Sequence, residues 1–402
     1  RIGFAFDYGS DQFQGGTRHA SISPGGGPQK DGEDPHFPYG KEQVYPGGQF
    51  DYHLRPFEAA FAAGTAQIMP YYGVPVGLDV EEVGFGYNKA IITNLLRGRY
   101  GFDGVVCTDY GLVHDKQIMG GTMLATAWGV EHLNIPARVA RIMDAGCDML
   151  GGESCPEVIV QLVEDGQISQ ARLDESVRRI LRDKFRLGLF DNPYVDPAAA
   201  EQIVGNARFR AAGTEAQRKS LVLLKNDRRA GAPVLPLAGR PTLYIERLDP
   251  AAVNRYADIT SDLDAADWAI LRLDTPFQTR DTGNFLEGMF HAGDLDFKEE
   301  AKSRILDILA RRPTIVVIHL DRPAVLPEIG DACAALVGEF GAADEAILAL
   351  IFGQVDPVGK LPFELPRTMA AVVQQKPDVP YDSADPLFPF GHGLSYSHAD
   401  PA

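Results

Sequence analysis

From about residue 60 to 190, short apolar runs alternate with stretches in which apolar residues recur every three or four positions. Residues 66–71 (AQIMPY), 104–109 (GVVCTD) and 147–150 (CDML) predict strands, and residues 87–97 and 137–145 predict helices between them. Such alternation implies parallel strands joined by right-handed crossovers, as in a barrel or an open α/β sheet. The plainest helix is expected at 172–187, where Leu173, Val177, Ile180, Leu181 and Phe185 share one face and Gly188 supplies the stop, making it the last outer helix of this region.

Residues 191–212 carry two prolines and little periodicity, which predicts a linker wrapping the surface. A second α/β region follows, with strands expected at 221–224, 242–246, 269–273, 315–320 and 335–337. The expected division is 1–190, 191–212 and 213–402. Segment 275–297 breaks the second pattern with charged and aromatic residues, and a long irregular loop inside a compact domain is usually functional. The Gly25-Gly26-Gly27 run lacks the features of a phosphate or dinucleotide loop and is expected to be a tight turn.

A length of 402 residues with 45% hydrophobic positions suits two globular domains. No run approaches the roughly eighteen apolar residues of a membrane helix, so no membrane partner is expected. The net charge of −17 argues against nucleic acid, whose binders need clustered cations. The four cysteines, Cys107, Cys147, Cys155 and Cys333, show no CxxC pair and no histidine at zinc spacing. They are expected to be free thiols packed as small hydrophobes, and no metal is expected. The chain begins at Arg1 with neither an initiator Met nor a signal sequence, so any targeting segment is expected to be missing from it.

In GVVCTD, period-two alternation puts Val105, Cys107 and Asp109 on one face and Val106 and Thr108 on the other. Asp109 ends an otherwise apolar strand. A carboxylate at the carboxyl end of a barrel strand faces the active-site mouth, and the same residue could instead cap the following turn. Hydrolysis of a glycosidic bond with retention needs two carboxyl groups roughly 5 to 5.5 Å apart, one as nucleophile and one as acid.

These residues resemble glycoside hydrolase family 3. GFDGVVCTDYG is similar to that family's nucleophile motif, and LGLFDNPYVD, EAQRKSLVLLKN, GKLPFELP and PLFPFGHGLSY resemble its linker, second-domain entry and C-terminal segments in the same order. The resemblance implies a partial (β/α)8 TIM-type barrel followed by an α/β sandwich domain, with Asp109 as nucleophile of an exo-acting β-glucosidase. Its substrates would be β-glucosides or cello-oligosaccharides, it would need no cofactor, a homo-oligomer stays open, and a periplasmic or secreted location is favoured. β-Xylosidase and β-N-acetylglucosaminidase occur on the same scaffold, and a non-catalytic sugar-binding remnant is the rival outside enzymes.

The family's acid/base residue lies on the second domain. In segment 275–297 the implied acid is Glu287, flanked by Phe285, Met289 and Phe290, because an apolar surround keeps a carboxyl group protonated; Asp281 is the alternative. Met69 and Tyr71 end AQIMPY where the family has a wall of the sugar pocket, although core packing accounts for Met69 almost as well. Asp31, Asp34 and His36, in the loop DGEDPH, are candidates for binding sugar hydroxyls or simply for solvation. Trp128 is a candidate stacking platform, with burial on a helix the commoner state.

Two departures stand out. The family's Lys-His-Phe before the glycine turn is replaced by Ser21-Ile22-Ser23. Degenerate codons for Ser-Ile-Ser-Pro-Gly become those for Lys-His-Phe-Pro-Gly on a one-base shift, so residues 1–23 are expected to be an out-of-frame translation. The chain also holds only the last three or four strands expected of an eight-stranded barrel, which predicts an open edge and an aggregation-prone product.

Overall fold

The computed structural model describes residues 4–6, 28–70, 72–118, 121–278 and 291–396. Its first body is built on parallel strands β1 (Phe4–Phe6), β2 (Gln67–Met69) and β3 (Val105–Val106), in the order β1-β2-β3. The Cys107–Met149 bridge adds a fourth parallel segment beside β3. Around them lie α1 (Phe50–Ala62), a π-helix (Ala90–Arg99), α2 (Ile135–Ala145), α3 (Pro156–Glu164) and α4 (Gln170–Arg186). This is part of a (β/α) barrel. Val105 and Val106 are both fully buried, as a strand covered on two faces requires.

The strands are shorter than their apolar runs, because polar side chains hold their ends. Asp148, buried beside β3, accepts from Val106 N at 2.9 Å and Arg97 Nη2 at 2.6 Å through Oδ2. Its Oδ1 accepts from Ser176 Oγ at 2.7 Å and Arg179 Nη1 at 3.0 Å. This cluster corrects the expected face of α4. Ser176 and Asp183 are its buried positions, whereas Val177, Leu181 and Phe185 are exposed. A buried carboxylate must be paired, so the helix turns its polar edge inward.

Segment 191–212 contains α5 (Pro197–Ile203) and the start of α6 (Ala207–Ser220). Asp196 and Asn206 cap these helices, accepting from Ala198 N and Phe209 N. Both helices are largely exposed, which is why no apolar period marks them.

The second body is an α/β sandwich. Its strands are β4 (Val222–Asn226), β5 (Thr242–Glu246), β6 (Asp258–Ile259), β7 (Trp268–Asp274), β8 (Thr314–His319) and β9 (Ala335–Glu339), in the order β6-β5-β7-β8-β9-β4. All pairs are parallel except β9 with β4. Alternation divides the sheet between two cores. Ile315 and Val317 pack with α9 (Asp344–Ile351), while Val316 and Ile318 pack with α7 (Glu299–Arg311) and α8 (Pro327–Ala332). No described helix is long and apolar enough to cross a membrane, and all four cysteines are free.

Candidate active site

Asp109 stands just past β3, at the carboxyl end of the parallel strands, where a barrel opens. It is half-buried, and its Oδ1 accepts from Tyr110 N at 2.7 Å. Thr108 turns the other way, is fully buried and accepts from Gly151 N at 2.8 Å. A Cβ on Gly151 would lie 2.1 Å from Thr108 O, so glycine lets the two strand ends close together.

Two other loops converge here. Tyr72 follows β2, is 4% exposed, and donates its hydroxyl to Tyr110 O at 2.6 Å. His36 packs edge-to-face on Tyr72 at 4.8 Å between ring centroids. Asp34, itself buried, accepts from His36 N at 2.8 Å and pairs with His36 Nδ1 at 2.8 Å.

The electrostatics couple these groups. Burial pushes the Asp109 carboxyl above its ordinary range, and the Tyr110 N–H, the Tyr72 hydroxyl and the His36 charge pull against it. Burial disfavours the His36 cation, but the hydrogen bond and charge of Asp34 with the charge of Asp109 outweigh it, and the imidazole sits above its usual value. Burial and the neighbouring Asp109 hold the Tyr72 phenol protonated well past its normal range. The arrangement offers a half-buried carboxyl group beside a phenol and an imidazole.

The remaining expected residues are distributed around this centre. Asp31 occupies a left-handed conformation, φ 57°, in the turn Lys30–Gly32. Met69 ends β2 but lines an apolar cavity of about 80 Å³ with Phe50, Leu54 and Phe85, as core packing requires. Trp128 lies in a turn rather than on a helix; it is 6% exposed and donates Nε1–H to Pro35 O at 2.8 Å. Its indole therefore supports the Asp34–His36 loop from below and is not an open platform. Tyr71, Asp281 and Glu287 lie outside the described residues, as do residues 7–27.

Sequence reasoning passed over Tyr72, the second tyrosine of YYG, because its partner Tyr110 is 38 positions away. It also passed over Arg322. That side chain, 1% exposed, donates Nη1 to Ala292 O at 2.7 Å and Pro276 O at 3.4 Å, and Nη2 to Gly293 O at 2.7 Å. One guanidinium thus grips both described ends of segment 275–297. Burial lowers it to about 10, against the charges of Asp321, Asp294 and Glu33.

Residues 31–182 match the Glycosyl hydrolase family 3 N terminal domain, and residues 253–396 match the Glycosyl hydrolase family 3 C-terminal domain. The chain belongs to glycosyl hydrolase family 3. This family member is 51% identical to Beta-glucosidase C of Emericella nidulans over 377 residues, 93% of this chain and 60% of that protein. It is 37% identical to the Periplasmic beta-glucosidase/beta-xylosidase of Dickeya chrysanthemi, over 92% of this chain and 59% of that protein. The chain thus spans about three-fifths of the length of these curated relatives. Among solved structures, beta-glucosidase from Listeria innocua in complex with isofagomine superposes with a TM-score of 0.70 at 21% identity, covering 88% of this chain and 56% of that one. At that identity the likeness speaks for the fold.

Proposed function

We propose that this chain carries the nucleophile half of a retaining β-glucosidase site. In this reading one Asp109 oxygen attacks the anomeric carbon of a terminal β-glucoside as the aglycone oxygen leaves with a proton, giving a glycosyl-aspartate. Water then attacks that carbon, releasing glucose with its β configuration retained. Tyr72 and the His36 charge oppose the burial that raises the Asp109 carboxyl. His36 and Asp34 also line the approach from the rim. The proton donor is drawn from segment 275–297, with Glu287 in the role and Asp281 behind it. The barrel then runs to about residue 190 and the sandwich begins after 212.

The observation that carries the reading is the half-buried carboxylate at the end of a parallel barrel strand, tied to Tyr110 N at 2.7 Å and faced by Tyr72 and His36. Support for the substrate comes from the β-glucosidase names of relatives at 51% and 37% identity. The second name also includes β-xylosidase, so a xyloside is the substrate to compare.

Proton NMR of an aryl β-glucoside digest tests the reaction class. The β anomer of glucose should appear first and mutarotate afterwards. First appearance of the α anomer would rule out a glycosyl-aspartate, and absence of turnover would leave the chain a sugar-binding remnant.

A further inference from the structure

The helix α1 leads through a short turn into the amino end of β2, so its own amino end lies at the opposite, carboxyl rim, the rim that holds Asp109. The turn that enters α1 there is gripped by the second body. Asp378, fully buried, accepts from Gly47 N at 2.8 and 3.0 Å through its two oxygens and from Gln49 N at 2.8 Å. Its backbone carbonyl bonds His53 Nε2 on the first turns of α1 at 3.0 Å.

The gripping segment is tied to the sandwich core. Glu364 is 3% exposed and projects from a stretch whose Leu361, Phe363 and Leu365 lie in the sandwich core. Its Oε1 accepts from Gln375 Nε2 at 2.9 Å and Ser383 N at 3.0 Å, which closes the turn that presents Asp378. On the barrel side the fit is tight. A Cβ on Gly47 would lie 2.2 Å from Val379 Cγ2 and 3.0 Å from Asp378 Oδ1.

The neighbouring loop, separated from this turn by the strand Glu42–Val44, carries Asp34 and His36 toward Asp109, and its Glu33 acts electrostatically on Arg322, the residue that holds the ends of segment 275–297. The sandwich therefore meets the barrel segment 33–49 at two places, by hydrogen bonds at Gly47 and Gln49 and by charge at Glu33. We propose that Asp378 is a positioning residue, which registers the sandwich, and with it the ends of segment 275–297 held by Arg322, on the barrel rim that carries Asp109. This rests on the function proposed above. A carboxylate accepting from two backbone amides, one of them through both oxygens, suits that task, because it fixes direction as well as distance.

Asp378→Ala, Asp378→Asn and Gly47→Ala test the proposal, the last pushing on the joint from the barrel side should the first fail to fold. Amide exchange is read at Gly47 and Gln49, with Cys107 and Thr108 in the barrel sheet as internal controls. Turnover is read on an activated dinitrophenyl glucoside and on a poor-leaving-group alkyl glucoside. The expected result is exchange about 100-fold faster at Gly47 and Gln49 with the controls unchanged. The alkyl glucoside should lose about tenfold more kcat/KM than the activated one, since only it needs the donor in place. Asp378→Asn should fall between, having one acceptor oxygen. Unchanged exchange at both amides would overturn the contact, and equal losses on the two substrates would reduce Asp378 to a structural residue. A wild type with protected Gly47 and Gln49 amides but no turnover of either glucoside would overturn the proposed activity, and this role with it.

Discussion

Tyr72 donates its hydroxyl to the carbonyl oxygen of Tyr110 at 2.6 Å, tying the loop after β2 to the residue that follows Asp109. The bond holds the one backbone amide that caps the Asp109 carboxylate, because Tyr110 supplies both groups. Local backbone geometry and charge are thus set by one side chain from the neighbouring strand.

Removing that hydroxyl gives the first prediction. Tyr72→Phe takes away a group that lowers the Asp109 pKa while leaving its burial in place. The acid limb of kcat/KM should move to higher pH, and kcat should fall about 3- to 10-fold, the equivalent of one neutral hydrogen bond. An unmoved acid limb would mean that Tyr72 does not address the carboxylate.

The His36–Asp34 pair predicts a pH dependence of folding. The folded-state pKa of His36 is raised above its unfolded value of about 6.5. Its contribution is therefore complete below that unfolded value and is lost as pH rises through the higher folded value. Urea midpoints of the wild type should decline across that window, and those of His36→Gln should decline less. Equal slopes would contradict the pairing.

Asp148 predicts the largest loss of stability away from the mouth. Asp148→Ala leaves the part-buried Arg97 without its carboxylate and Arg179 with Asp103 alone. The cost should be about 3–5 kcal/mol in equilibrium unfolding, the usual result of breaking one side of a buried ion pair. A change under about 1 kcal/mol would mean that water replaces the carboxylate there.

The alternating α/β plan and the strand that leads to Asp109 were legible in the sequence because apolar runs and their period mark strands buried on two faces. What escaped notice depends on partners distant in the chain. The inward face of α4 is polar because Asp148, 28 positions before Ser176, must be satisfied. The burial of Trp128 is decided by Pro35 O, 93 positions away. Helices α5 and α6 carried local marks in the caps Asp196 and Asn206, but their exposure leaves no apolar stripe to reinforce them. Nothing within QQKPDVPYD reveals that Asp378 serves Gly47 and Gln49.

Covalent trapping tests the central claim most directly. Incubation with a 2-deoxy-2-fluoro-β-glucoside that has an activated leaving group should add one fluoroglucosyl mass, and peptide mapping should place it on Asp109, within GFDGVVCTDYG. Asp109→Asn should take up no label and lose turnover on the order of 10⁴- to 10⁶-fold, the range for removing a member of a covalent mechanism. Labelling of another carboxylate, or an Asp109→Asn variant that still labels and turns over, would contradict the assignment of Asp109 as nucleophile.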